Sequence, residues 1–161
     1  MSILLKNGSL KGEKKVDILI ENDIISKVAP ANSIKDEKAE VFDLTGLIIL
    51  PGLVDLHTHL REPGREDAET VATGSAAAAR GGFTAVHAMA NTLPVADTAG
   101  VVEQVWNLGK SIGLVDVYPV GAVTIGLKGE NLAELSAMAD SRARVRIFSD
   151  DGNCVSDPVL M

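Results

Sequence analysis

The chain has 161 residues, 46% of them hydrophobic, and a mean hydropathy of +0.19, enough to bury one core or one and a half small ones and too apolar for a disordered segment. Asp and Glu outnumber Lys and Arg by 22 to 15, and the resulting charge of −7 argues against nucleic acid or an anionic membrane as partner, while 3% aromatics leave no surface for stacking bases. A single cysteine, Cys154, excludes an internal disulfide framework and suits a reducing cytoplasm; no signal-peptide pattern opens the sequence and no apolar run reaches membrane-spanning length.

Residues 1–50 read as short strands broken by turn signals. Ile3 to Lys6 precedes Asn7-Gly8, Val16 to Glu21 precedes an Asn22-Asp23 turn, and Ile24 to Val28 follows. Ala31 to Glu40 is a polar connection, after which Val41–Asp43 and Leu47–Leu50, separated by Thr45-Gly46, complete a small all-β unit, for which a generic β-meander is the plainer alternative. From Gly52 the pattern becomes strand–helix alternation. Leu53 to Leu56 is a first buried strand, and Glu66 to Arg80 an alanine-rich helix with Glu66, Asp67 and Glu69 in its first turn and Gly81-Gly82 as its stop. Phe83–Met89 is a second strand, Thr98–Lys110 a second helix, Leu114–Val123 a third strand, Leu132–Ala139 a short helix, and Val145–Phe148 a fourth strand. This order predicts an α/β fold of parallel βαβ units over residues 51–161: four strands and three helices, half of a (β/α)8 barrel that takes about 250 residues. On that reading the chain is truncated.

The stretch Leu50 to Gly64 carries the chemistry. Side chains alternate along a strand, so His57, His59 and Arg61 share a face if the extended conformation persists, and two imidazoles one strand-step apart make a pincer for a divalent metal. Asp55, one step back, can accept a proton from a ligand imidazole. The plainer alternative is a pair of hydrogen-bonded core histidines. Barrel enzymes work at the C-terminal ends of their strands, where the second strand presents Asn91 and the fourth Asp151. Arg61 is a planar fork suited to a carboxylate, and Asn91 can donate its amide hydrogens to the same group. The alternatives are a surface salt bridge of Arg61 with Glu62 or Glu66, a turn at Asn91-Thr92, and an Asp-Gly turn at Asp151-Gly152. His87 reads as a core histidine with a hydrogen-bond partner, and Cys154, with no basic neighbour, as inert.

Pro51-Gly52-x-x-Asp55-x-His57-x-His59 resembles the first-strand signature of the metal-dependent amidohydrolase superfamily, and His57-x-His59-x-Arg61-Glu62-Pro63-Gly64 narrows the resemblance to the bacterial dihydroorotase family. The resemblance implies that residues 1–50 are part of a small β-sandwich completed by strands from the far C-terminus, and that residues 51–161 begin a metal-dependent barrel. It implies one or two Zn²⁺ ions held by His57, His59 and Asp151, and water activated for reversible hydrolysis of the cyclic amide of dihydroorotate to N-carbamoyl-aspartate in pyrimidine synthesis. His59, Arg61 and Asn91 would bind substrate. The superfamily's bridging carboxylated lysine has no counterpart, since 141–161 lack lysine, and the family's Asp-Asp-Gly maps the ligand to Asp151. The family's Met-Pro-Asn-Thr reads Met89-Ala90-Asn91-Thr92 here, which loosens the loop but keeps the asparagine. No catalytic acid–base residue falls within the chain: the proton-shuttling aspartate and further histidines belong to later strands. The expected partner is a small-molecule substrate, with a second copy or a pyrimidine-pathway protein beside it, in the cytoplasm. The chain by itself is expected to be inactive. The rival readings are a non-catalytic dihydroorotase-like protein with a structural or partner-binding role, and another cyclic amidohydrolase of allantoinase or hydantoinase type.

Overall fold

In the first fifty residues three strands run antiparallel and two more return beside the first. A computed structural model describes residues 2–160, which divide into two units, Met1–Pro51 and Gly52–Met161. In the first unit β1 (Ser2–Leu10), β2 (Lys14–Glu21) and β3 (Ile24–Pro30) pair in turn, and β4 (Glu40–Asp43) and β5 (Ile48–Ile49) both pair with β1 in parallel. The meander alternative therefore holds for three strands only. Parallel pairing needs a long connection, which the polar stretch after Pro30 supplies. Asn22-Asp23 forms the two-residue turn, both residues at positive φ. Asn7-Gly8 does not turn the chain. Asn7, at φ 60°, is absorbed where the β1–β2 register shifts, and its N–H donates to the buried Asp17 carboxylate at 3.1 Å. The reversal comes at Lys11-Gly12-Glu13.

The second unit is α/β. Strands β6 (Leu53–Thr58), β7 (Phe83–Ala88) and β8 (Asp116–Pro119) form a parallel sheet in that order, connected through α1 (Val71–Arg80) and α2 (Ala99–Ile112); α3 (Leu135–Asp140) comes after them. Val71, Val86, Val105 and Val117 close the core between sheet and helices, each fully buried valine contributing about 1.5–3 kcal/mol. Gly109 lets α2 settle onto β8: a Cβ there would sit 2.5 Å from that of Val117.

Three expectations change. Helix α1 begins at Val71, not Glu66, because Thr70 caps it reciprocally with Thr73 and the carboxylate at its N-terminus comes from Glu62, whose Oε2 accepts the Val71 N–H at 2.7 Å. Strand β6 is not buried. It is an edge of the sheet, and Leu53, Val54 and Leu56 are 47–59% exposed. The fourth strand is reduced to one parallel bridge, Gly121 to Phe148. Upstream, Arg144 takes a left-handed φ of 48° and the Val145 N–H turns to the carbonyl of Met138, not towards β8. The bridge still fixes the segment that leads to Asp151. Gly121 donates to the Ile147 carbonyl at 3.0 Å and accepts from Ser149 at 2.9 Å, and any Cβ at Gly121 would strike the Phe148 ring.

Candidate metal centre

Three side chains from two ends of the second unit converge. His57 and His59 stand at the end of β6, their rings edge to face with centroids 5.2 Å apart. Strand pairing aims them: Thr58, between them, donates its hydroxyl to the His87 carbonyl at 2.9 Å and accepts the Met89 N–H at 2.8 Å, pinning the strand end to β7. Asp151 lies opposite, two residues past the Gly121 clamp, with its N–H on Ser149 Oγ at 3.1 Å. Its Oδ1 is 3.3 Å from His57 Nε2 and its Oδ2 3.5 Å from His59 Nε2, and one donor atom from each residue lies within 4.8 Å of the others. Donor atoms around a tetrahedral zinc with bonds of about 2.0–2.1 Å are about 3.3–3.4 Å apart, so the two imidazole–carboxylate separations suit that ion, and two nitrogens with one carboxylate are a donor set it accepts.

Asn91 joins the cluster from the loop after β7. Its Oδ1 is 3.0 Å from His59 Nδ1 and its Nδ2 donates to Asp151 Oδ2 at 3.3 Å. The loop is held without the family's proline: the buried Ala90 carbonyl accepts Thr92 N–H at 2.9 Å and Ala96 N–H at 3.0 Å. Asp55 does not reach an imidazole. Its carboxylate accepts the His57 backbone N–H at 2.9 Å, and its carbonyl lies 3.3 Å from His87 Nδ1. His87 also stacks on Tyr118, centroids 5.3 Å apart.

Arg61 follows the strand end that carries the two histidines. The extended strand ends at Thr58, Leu60 drives into the core against Gly74 of α1, and Arg61 adopts φ 60°, so strict alternation does not carry to it. Its two nearest acidic candidates are engaged elsewhere: Glu62 caps α1 and Glu66 Oε1 accepts the Gly64 N–H at 2.8 Å. Among the described residues the half-buried Arg61 side chain has no hydrogen-bond or ion-pair partner. Gly64, at φ 100°, lies against Leu93, where a Cβ would meet the Leu93 carbonyl oxygen at 2.2 Å, and Leu93 N–H donates to the Pro63 carbonyl at 2.9 Å. The Arg61 and Asn91 loops are thereby interlocked.

The residue that sequence reasoning undervalued is Asp150. Buried, it accepts the N–H groups of Val123 at 2.8 Å and Thr124 at 3.0 Å and the Thr124 hydroxyl, which itself accepts from Gly129 N–H at 2.9 Å. It ties the loop after β8 to the segment carrying Asp151. The doubled aspartate was the only signal of this in the sequence.

A family described as Dihydro-orotase-like matches residues 46–161. Among curated relatives, a dihydroorotase of Streptomyces coelicolor is 58% identical over 98% of this chain and 36% of its own length. One of Leifsonia xyli is 73% identical over 76% of this chain and 28% of its own, and one of Mycobacterium tuberculosis 56% identical over the whole chain and 37% of its own. The chain thus matches only 28–37% of the length of these relatives. Among solved structures, an L-hydantoinase of Arthrobacter aurescens matches with a TM-score of 0.66 at 22% identity, over 78% of this chain and 29% of that one. A D-hydantoinase of Thermus sp. matches with 0.60 at 28% identity, over 76% of this chain and 28% of that one.

Proposed function

The chain belongs to the Dihydro-orotase-like family, and from that premise we propose that its residues serve the dihydroorotase reaction, the reversible hydrolysis of the ring amide of dihydroorotate to N-carbamoyl-aspartate in pyrimidine synthesis. Water adds across one C–N bond, leaving a carboxylate and a ureido nitrogen that takes the proton. The observation that carries the reading is the convergence of His57, His59 and Asp151 on one small volume with their donor atoms facing inward. These residues would hold Zn²⁺, which when bound acidifies water and polarises a carbonyl. Arg61, without a partner among the described residues, binds the substrate carboxylate through a charge-assisted fork, and Asn91 offers it an amide hydrogen; together they orient the ring. In a dihydroorotase of the relatives' full length these 161 residues supply those groups, and the proton shuttle comes from elsewhere in the enzyme.

The same reading makes the second unit the opening half of a (β/α)8 barrel and the first part of a β-sandwich, supported by the parallel β6-β7-β8 order and the likeness to the hydantoinases. It puts the protein in the cytoplasm, which the lone Cys154 supports, with a second copy or a pyrimidine-pathway protein as partner. A hydantoinase-type activity is favoured only by fold likeness at 22–28% identity.

The test is Arg61→Met in a protein of the relatives' length carrying this sequence. KM for dihydroorotate should rise by the loss of about 1.5–3 kcal/mol of charge-assisted contact, with kcat changed less, while turnover of a hydantoin, which lacks the carboxylate, should not change. Wild-type kinetics on dihydroorotate would show that Arg61 faces away from substrate.

A further inference from the structure

We infer that Asn91 is a positioning residue of the metal ligands: its side-chain amide fixes the ring tautomer of His59 so that Nε2 faces Asp151 with a bare lone pair. The inference rests on the reading of His57, His59 and Asp151 as metal ligands and assigns a further task to a residue otherwise read as a substrate contact.

The argument is one of donors and acceptors. An ionised carboxylate only accepts, so the Asn91 atom 3.3 Å from Asp151 Oδ2 must be the NH₂; the reversed amide would set two oxygens against each other. The amide oxygen then faces His59 Nδ1 at 3.0 Å. That oxygen cannot donate, so Nδ1 carries the hydrogen. A neutral imidazole has one N–H, which leaves His59 Nε2 bare, 3.5 Å from Asp151 Oδ2. Two lone pairs facing at that distance repel each other unless a cation lies between them, the arrangement a ligand pair needs before the ion arrives. Asp151 thus sets the amide, and the amide sets the ring. His57 provides an internal contrast. Its Nε2 also faces Asp151, at 3.3 Å, but among the described residues nothing holds its Nδ1, so there the carboxylate favours the Nε2–H tautomer. Asn91 keeps a second amide hydrogen, so fixing His59 does not compete with a substrate contact.

The test needs no turnover. In the metal-free form of a protein of the relatives' length carrying this sequence, with ¹⁵N-labelled histidine, long-range ¹H–¹⁵N spectra at a pH where the rings are neutral should show His59 as the Nδ1–H tautomer and His57 as the Nε2–H tautomer. Asn91→Ala should shift His59 towards the Nε2–H tautomer and weaken Zn²⁺ binding, measured by chelator competition, by roughly 10–100-fold. Asn91→Asp keeps an acceptor for Nδ1 but repels Asp151; it should preserve the tautomer and still lose affinity. Circular dichroism confirms that each variant is folded, and the wild-type tautomer stands as a test that requires no variant. A wild-type protein of that length that binds no Zn²⁺ would overturn the metal reading. A wild-type chain that binds Zn²⁺ but holds His59 as Nε2–H, or a folded Asn91→Ala variant with unchanged affinity, would overturn the role of Asn91 alone.

Discussion

In the N-terminal unit the buried Asp17 commits both carboxylate oxygens to backbone, Oδ1 to the N–H of Asn7 at 3.1 Å and Oδ2 to that of Ile34 at 3.2 Å; in the C-terminal unit two adjacent aspartates divide the work. Asp150 does what Asp17 does, holding Val123 and Thr124, and its oxygens are fully occupied. Asp151, one residue on, meets no backbone donor with its carboxylate among the described residues and faces two imidazoles and an amide. All three are acidic residues, and what separates a structural carboxylate from a ligand is which donors the local backbone leaves pointing at it. Asp17 ties the connection after β3 to β1; Asp150 ties a loop so that Asp151 is free to face inward.

The largest expected effect comes from that division. Asp151→Asn should lower Zn²⁺ affinity by roughly a hundredfold or more, because it removes a charged ligand and sets an amide against two ring nitrogens. Asp150→Asn keeps every ligand atom. It should cost about 1–3 kcal/mol of stability by leaving buried donors of Val123 and Thr124 poorly paired, with a smaller loss of metal affinity. Metal titration beside thermal melts separates the two, and the reverse ranking would mean that Asp150 is the ligand.

This division marks the limit of what the sequence could show. The histidine pincer was legible because alternation in a strand needs only residue spacing, and β6 holds that geometry through Thr58. Arg61 was placed on the same face by the same rule, and the rule failed three residues past the strand, where φ 60° turns the chain. Asp151 was separable from Asp150 only through the family's Asp-Asp-Gly, since the partners that occupy Asp150 are mostly backbone N–H groups, which every residue carries. Val145 to Phe148 has the composition of a strand, but its pairing is decided by Arg144 and by the competing Met138 carbonyl. The start of α1 was misplaced for a related reason: Thr70 and Thr73 cap it reciprocally, a weaker sequence signal than the cluster of acids before them.

A smaller effect tests the other half of the comparison. Burial pushes the Asp17 carboxyl up, but the N–H groups of Asn7, Ile34 and Asn32 and the charge of Lys6 outweigh it and hold the group below the ordinary carboxylate range. A depressed folded value means that the stabilisation is fully present above the unfolded carboxylate value of about 3.9 and is lost as pH falls through the folded value. Asp17→Asn should cost about 1–2 kcal/mol at neutral pH, and that deficit should shrink on acidification below about pH 4. Amide resonances of Asn7 and Ile34 report it in the first unit, since the only tryptophan, Trp106, lies in the second. A deficit independent of pH would show that Asp17 acts by shape and not by charge.

The smallest effect belongs to a carboxylate with the shortest contact to a cation. Asp116 Oδ1 lies 2.7 Å from Lys110 Nζ, in the last turn of α2, where the helix C-terminus also favours a cation. Distance alone would rank this pair above the contacts of Asp17. Both side chains are half exposed, however, at 50% and 49%, and water already solvates the charges that the pair brings together. The Asp116 hydrogen bond and charge hold the Lys110 ammonium above the ordinary lysine range. Its contribution is therefore complete below the unfolded lysine value of about 10.4 and is lost as pH rises through the folded value. Lys110→Met should cost only about 0.2–1 kcal/mol, and less in 1 M salt, where the screening length falls to about 3 Å. Denaturant midpoints in low and high salt decide the matter. A salt-insensitive loss as large as that of Asp17→Asn would mean that contact distance, and not the degree of desolvation, sets what a carboxylate contributes in this protein.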